Sequence, residues 1–302
     1  MNARYFTVDV FTDRRFGGNQ LAVFPDAREI ASDLMPQIAR EFNYSETTFV
    51  LPPTDPSHTA RVRIFTPGGE LQFAGHPTIG TAHVLATIGA VAINGPETRI
   101  VLEEGVGPVP VTIRASSGRP EFATLSVAKL PEVGPPPPNR EALAAMLSLD
   151  PGDVLDGDMA PEAVSCGTQF LFIPLRNRGA VARSRVHNDL WDATLRDYTT
   201  NKVMVFALDA ERPDSDVRAR MYAPGIGVAE DPATGSAAVA LGGYLAARDA
   251  RFDGTLRWVV EQGFEMGRPS ILEVEADKQA GKITAARVGG KTVMVCEGSM
   301  NL

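Results

Sequence analysis

Apolar and polar positions in this chain fall mostly into short runs with the period of two expected of strands. In the first half these are YFTVDVF, LAVF, TTFVL, ARVRIF, TRIVLE and VPVTIRA. In the second half they are QFLFIPL, KVMVFAL, DVRARMY, LRWVVEQG, SILEVEA and KTVMVCEG. Each is rich in β-branched or aromatic residues and is bounded by turn formers. Helical spacing is rarer and predicts helices over 33–42, 78–88, 140–147, 189–198 and 234–247. Two of these have no polar face. The helix over 78–88 carries Gly80, Ala82 and Ala86, and the helix over 234–247 carries Gly235, Ala237, Ala238, Ala240, Gly242 and Gly243. Small residues all round a helix suit one enclosed by sheet, where backbones approach closely.

The two small-residue helices belong to a longer repeat. RIFTPGGELQFAGHPTIGTAHVLA begins at Arg63, and RMYAPGIGVAEDPATGSAAVAL begins at Arg220. Both open as basic, apolar, aromatic, small, Pro, Gly, and both continue as Pro-x-x-Gly-(Thr/Ser)-Ala-x-Val. Arg63 and Arg220 are 157 residues apart, and Pro77 and Pro232 are 155 apart. Two motifs in one order and nearly one spacing imply two domains of similar fold related by duplication. Pro135, Pro136, Pro137 and Pro138 favour extended chain between them. Asn139 then reads as the N-cap of the helix over 140–147.

A length of 302 residues accommodates two domains with a core each. The formal net charge of -8 argues against nucleic acid or an anionic membrane surface as a partner. No uncharged apolar run reaches the roughly 18 residues that cross a bilayer, and the first residues show no signal-peptide core. The expectation is a cytoplasmic enzyme or binding protein. Cys166 and Cys296 form neither a CxxC pair nor a disulfide framework and are expected as small buried residues. His58, His76, His83 and His187 make no HxH or HExxH pattern, so no metal site is expected, and the glycine loops match neither the P-loop nor the dinucleotide fingerprint.

The candidate chemistry lies where the repeat breaks its own symmetry. The 155-residue offset aligns His76 with Asp231, an imidazole in one copy and a carboxylate in the other. Each precedes a proline at a helix start, whose free N–H groups attract anions. Asp before Pro is also a common cap, and EDPATGSAAV reads as a well-capped helix start. Two such starts meeting at a domain interface would make a proton-handling site.

FTVDVFTDRRFGGNQLAVF, NYSETTFVLPP, FAGHPTIGTA, EDPATGSAA and EQGFEMGRPS, in this order over nearly the whole chain, resemble the PhzF-like family of the diaminopimelate-epimerase fold, named for phenazine biosynthesis. The resemblance implies an α+β fold of two pseudo-symmetric domains, each a curved, mostly antiparallel sheet wrapped round a central helix. The expected domains are residues 1–130, with the C-terminal strand near 291–302 returning to them, and residues 131–290.

The family pattern makes Glu46, in Ser-Glu-Thr, the general acid/base, with His76, Asp231 and Ser236 in the catalytic set. Asn19, Ser45, Gly75, Gly235 and Gln262 are implied as substrate-binding or supporting residues. Epimerases of this fold use two facing thiols, yet neither helix start here holds a cysteine. The implied activity is a cofactor-independent isomerisation of a small carboxylated metabolite, similar to that of trans-2,3-dihydro-3-hydroxyanthranilate isomerase, by a homodimer. A racemase or epimerase of the same fold and a non-catalytic small-molecule binding protein are the alternatives.

Overall fold

The computed structural model describes residues 2–302, which fold into two compact units. The first comprises residues 2–126 with Gly289–Leu302, and the second is Val127–Val288.

The first unit contains β1 (Asn2–Val10), β2 (Asn19–Phe24), α1 (Met35–Phe42), β3 (Glu46–Leu51), β4 (Ala60–Thr66) and β5 (Gly69–Leu71). It continues through α2 (Gly75–Thr87), β6 (Glu97–Glu104), β7 (Gly107–Ser116) and β8 (Arg119–Ser126). β1 runs antiparallel to β2 and to the last strand of the chain, Thr292–Asn301. β2 and β3 are parallel, β3–β4 and β4–β5 antiparallel, β4 and β6 parallel, and β6–β7–β8 an antiparallel meander. Every residue of α2 except Thr87 is buried, against β1, β2, β3, β7, β8 and the last strand. Gly80 permits that approach: a Cβ there would stand 2.6 Å from Leu21 Cδ2 and 2.7 Å from Val10 Cγ2. On the other side of β2 and β3, α1 lays Met35, Ile38 and Ala39 on Phe24, Phe49 and Phe65. Each fully buried aromatic there contributes about 1.5–3 kcal/mol.

The second unit contains β9 (Glu132–Val133), α3 (Arg140–Met146), β10 (Glu162–Ser165), β11 (Gln169–Pro174), α4 (Arg178–Arg183), α5 (Asn188–Leu195) and β12 (Val203–Ala207). Then come β13 (Val217–Ala223), β14 (Val228–Asp231), α6 (Gly235–Arg248), β15 (Gly254–Gln262), β16 (Ser270–Gln279) and β17 (Lys282–Gly290). Its pairings repeat those of the first unit step by step. β10–β11 is antiparallel, β11–β12 parallel, β12–β13 and β13–β14 antiparallel, β13–β15 parallel and β15–β16 antiparallel. Like α2, α6 is buried along most of its length, against β10, β11, β15 and β16. Gly242 sits where a Cβ would run into Val274 of β16. The repeat read from two motifs is thus a repeat of strand order and strand direction, within a mixed α+β fold.

The structure alters the expected elements in places. α4 was not anticipated, because its six residues are too few to show a helical period. β5, β9, β10 and β14 are likewise too short to alternate visibly. The prolines at 135–138 lie inside the second unit, between β9 and α3. Asn139 does cap α3: its side-chain oxygen accepts the Ala142 N–H at 2.8 Å. The cysteines depart from expectation. Cys166 is half-buried in the turn after β10, and Cys296 is exposed, because the last strand has no fully buried residue from 293 to 301.

Candidate active site

In the first unit three elements deliver the candidate residues. The parallel pairing of β2 and β3 sets Glu46, the first residue of β3, opposite Leu21, two residues beyond Asn19 at the start of β2. Over these strands lies the first turn of α2, which starts where extended Ala74 (φ -153°) hands over to Gly75. Pro77 falls in that first turn, where its missing N–H leaves no bond unmade. The strand leading to this turn is fixed by a two-pronged ion pair, in which Arg63 Nε and Nη2 each donate at 2.7 Å to Glu70.

The result is a row of polar groups under a helix start. Asn19 is buried, and its side-chain nitrogen lies 3.3 Å from His76 Nδ1. His76 Nε2 lies 3.2 Å from Glu46 Oε2, and the Glu46 side chain is only 15% exposed. That approach is short enough for proton transfer, although its angle falls outside that of a formed hydrogen bond. Complete burial pushes the His76 imidazole down to about 3, so the ring is neutral across the physiological range. A donating Asn19 amide requires an accepting Nδ1, which puts the ring hydrogen on Nε2, facing the Glu46 carboxylate. Ser45 stands half-buried beside Glu46, and Gly75 opens α2.

In the second unit Asp231 ends β14, Gln262 ends β15, and Gly235 and Ser236 open α6. Gln262 is wholly buried and every hydrogen-bonding group of its amide is used. It accepts the Thr234 N–H at 3.1 Å and donates to the Asp231 carbonyl at 2.7 Å and to Thr234 Oγ1 at 3.0 Å. Thr234 Oγ1 in turn donates to Asp231 Oδ2 at 2.5 Å. The reading of EDPATGSAAV as a well-capped start needs correction here. The N-cap is Thr234, its side chain does not cap the helix, and the acceptor for its backbone N–H comes from Gln262 on another strand. The Asp231 carboxylate is engaged with the Thr234 hydroxyl. Ser236 is half-buried, and Asp231 and Gly235 are buried. As in the first unit, an arginine holds the approach strand: Arg220 Nε and Nη2 each donate at 2.8 Å to Glu230, and Nη1 donates to the Ser184 carbonyl at the end of α4.

Each unit therefore assembles its own share of the predicted residues: Asn19, Ser45, Glu46, Gly75 and His76 in one, Asp231, Gly235, Ser236 and Gln262 in the other. Three residues that the motifs did not single out belong to the same local structure. Thr234 links Asp231 to Gln262, and Thr78 and Glu104 meet beneath the start of α2, with Thr78 Oγ1 2.6 Å from Glu104 Oε1.

The family described as Phenazine biosynthesis-like protein matches residues 8–298. The chain belongs to that family. It is 40% identical to an uncharacterized isomerase of Mesorhizobium japonicum over 299 residues, covering 98% of each chain. It is 34% identical to the trans-2,3-dihydro-3-hydroxyanthranilate isomerase of Pseudomonas aeruginosa, again over 98% of each. Among solved structures it resembles a PhzF-family phenazine biosynthesis protein of Bacillus anthracis, with a TM-score of 0.90 and 25% identity over the full length of both chains. As a member of this family, with isomerases as end-to-end relatives, the chain is an isomerase.

Proposed function

We propose that this protein is a cofactor-independent isomerase that moves a proton within a small carboxylated metabolite, with Glu46 as the general acid/base. The observation that carries the reading is the 3.2 Å approach of Glu46 to a neutral, buried His76. A carboxyl group largely withdrawn from water, beside an uncharged ring, has the environment in which a carboxylic acid exchanges protons with carbon near neutral pH. In this reading Glu46 takes a proton from one carbon of a conjugated unit and returns it to another. The double bonds shift, and the composition of the molecule does not change. A single base serves one face of the substrate, so removal and delivery are suprafacial. The absence of cysteine from Ala74-Gly75-His76 and Asp231-Pro232-Ala233 supports this over a two-thiol racemisation.

His76 exchanges the proton with Glu46 or holds a polar group of the substrate. Asp231 and Ser236 handle the substrate's polar groups. The backbone N–H groups at Gly75, Gly235 and Ser236 hold its carboxylate or a developing negative charge. The P. aeruginosa relative makes trans-2,3-dihydro-3-hydroxyanthranilate the first substrate to assay. A cytoplasmic homodimer completes the reading, and sedimentation velocity tests the dimer.

The deciding experiment pairs turnover with hydrogen exchange. The wild-type enzyme should exchange solvent deuterium into its substrate, and Glu46→Gln should bind that substrate while neither exchanging nor turning it over. Full activity in Glu46→Gln would remove Glu46 from the mechanism.

A further inference from the structure

We propose that Glu104 is a positioning residue that works as a neutral carboxylic acid: it donates its hydrogen to Thr78 Oγ1, Thr78 donates its own to the Ala74 carbonyl, and this chain of bonds sets the turn that carries His76. The relevance to catalysis rests on the function proposed above, but the hydrogen-bond chain itself does not.

A count of hydrogens leads to this assignment. Thr78 Oγ1 lies 2.7 Å from the Ala74 carbonyl oxygen and 2.6 Å from Glu104 Oε1. A hydroxyl has one hydrogen to give, and a backbone carbonyl can only accept. Were Glu104 ionised, both neighbours would be acceptors, and one of these two short contacts would set lone pair against lone pair. With a hydrogen on Glu104 Oε1, both contacts become hydrogen bonds and Thr78 is fully used. The second oxygen agrees: Glu104 Oε2 is buried with no hydrogen-bond partner among the described residues. A carbonyl oxygen tolerates that situation far better than half of a carboxylate charge does.

The surroundings also favour the neutral form. Glu104 is 7% exposed, at the end of β6 on the face that buries Thr98, Ile100 and Leu102. It borders a cavity of about 550 Å³ lined also by His58, Arg61, Arg63, Glu70 and Glu103. His58 is paired with Glu103 and Arg63 with Glu70. Glu104 forms no ion pair with any of these, nor with Arg61. Its neighbour across β7 is Gly107, and α2 contributes two buried imidazoles, His76 and His83, both pushed toward the neutral form. Burial raises the Glu104 acid to about 8, with the Thr78 bond opposing.

The bond chain ends at Ala74, the residue that fixes the direction of entry into α2 two positions before His76. Loss of the Glu104 proton would force Thr78 to choose between its two partners and would release this turn. Gln is the conservative replacement, because its amide can donate to Thr78 Oγ1 at every pH.

The test combines carboxyl NMR with pH profiles. In protein labelled with 13C at the glutamate carboxyls, one signal should titrate near pH 8 and be missing from Glu104→Gln. The His76 ring 15N shifts should move between pH 7 and 9 in the wild type and stay still in Glu104→Gln. In turnover, the wild type should lose kcat as pH rises past about 8, Glu104→Gln should keep activity within a few-fold and lack that fall, and Thr78→Val should lose roughly 10-fold or more. If no glutamate carboxyl titrates above pH 6, the neutral-acid assignment is wrong whatever the activity. A titrating carboxyl with unmoved His76 shifts overturns the positioning role. A wild type that turns over no substrate but gives both NMR results overturns the functional reading and keeps this one.

Discussion

The first turns of α2 and α6 are copies that have taken opposite physical forms. At α6 the polar groups are locked. Gln262, Thr234 and Asp231 satisfy one another through four bonds of 2.5–3.1 Å, and both N–H groups and the carbonyl oxygen of the Gln262 amide are engaged. At α2 the contact that matters is slack. Glu46 and His76 approach to 3.2 Å without forming an aligned bond, and the ring is neutral. A saturated network holds geometry, whereas a short approach that is not locked into an aligned bond leaves a proton room to move. In the proposed mechanism, proton transfer accordingly falls to the first unit and positioning to the second.

The largest test of this division is the contrast between Glu46→Gln and Asp231→Asn. Removing a general acid/base costs about 10²–10⁴ in rate. Glu46→Gln is expected at the upper end in kcat, with substrate affinity changed little. Asp231→Asn should cost about one or two orders of magnitude, part of it in KM. If Asp231→Asn proved the more damaging in kcat, the roles of the two helix starts would be reversed. Stability should respond the other way round. Gln262→Leu strands the Thr234 N–H and the Asp231 carbonyl in a buried site, at about 1–3 kcal/mol each. Asn19→Leu should cost about 1 kcal/mol. Urea unfolding of the two variants measures the difference, and equal losses would show that the α6 network is no stiffer than the α2 row.

The approach strands sharpen the comparison at a smaller scale. Arg63–Glu70 and Arg220–Glu230 are equivalent two-pronged pairs, with side-chain exposures of 18% and 37% in the first and 6% and 15% in the second. Glu230→Gln leaves a buried guanidinium without its counter-charge and should cost about 3 kcal/mol. Glu70→Gln, nearer water, should cost at most about 1 kcal/mol. Equal losses in chemical denaturation would mean that burial does not distinguish the two pairs.

Much of this arrangement is legible in the sequence, for reasons that differ between residues. The duplication can be read because both copies need small residues in the enclosed helix and a proline at its entry. The strands can be read wherever they are long enough to alternate. Glu104 was within reach as well: in TRIVLEE the residues Thr98, Ile100, Leu102 and Glu104 share one face, so a carboxylate continues a core-facing row. Gln262 is different. LRWVVEQG announces a strand but not that its last amide will cap a helix 28 residues earlier. Glu46 has no local signal at all. It is the first polar residue of ETTFVL, and its closeness to His76 comes from the parallel pairing of β2 with β3 and from the packing of α2 over both, which no local period encodes. Only the family resemblance pointed to it.

The smallest effect comes from pH and belongs to the first unit alone. His83 is buried in α2 and pushed by burial down to about 4, while the repeat places Ala238 at the corresponding position of α6. In the folded protein this imidazole stays neutral at pH 5.5, whereas in the unfolded chain, with an ordinary affinity near 6.5, it takes up a proton. The unfolded state then binds more protons than the folded one, so stability falls as pH drops below about 6.5 and keeps falling until about 4. At about 1.4 kcal/mol per unit, the contribution between pH 7.5 and 5.5 is about 1 kcal/mol. His83→Gln should flatten the pH dependence of unfolding by that amount over this range, whatever it does to stability at pH 7.5. An unchanged slope would mean that the ring is protonated or hydrated in the folded state. The second unit has no histidine in its central helix, so Ala238→Gly should shift stability at every pH equally and leave the slope alone.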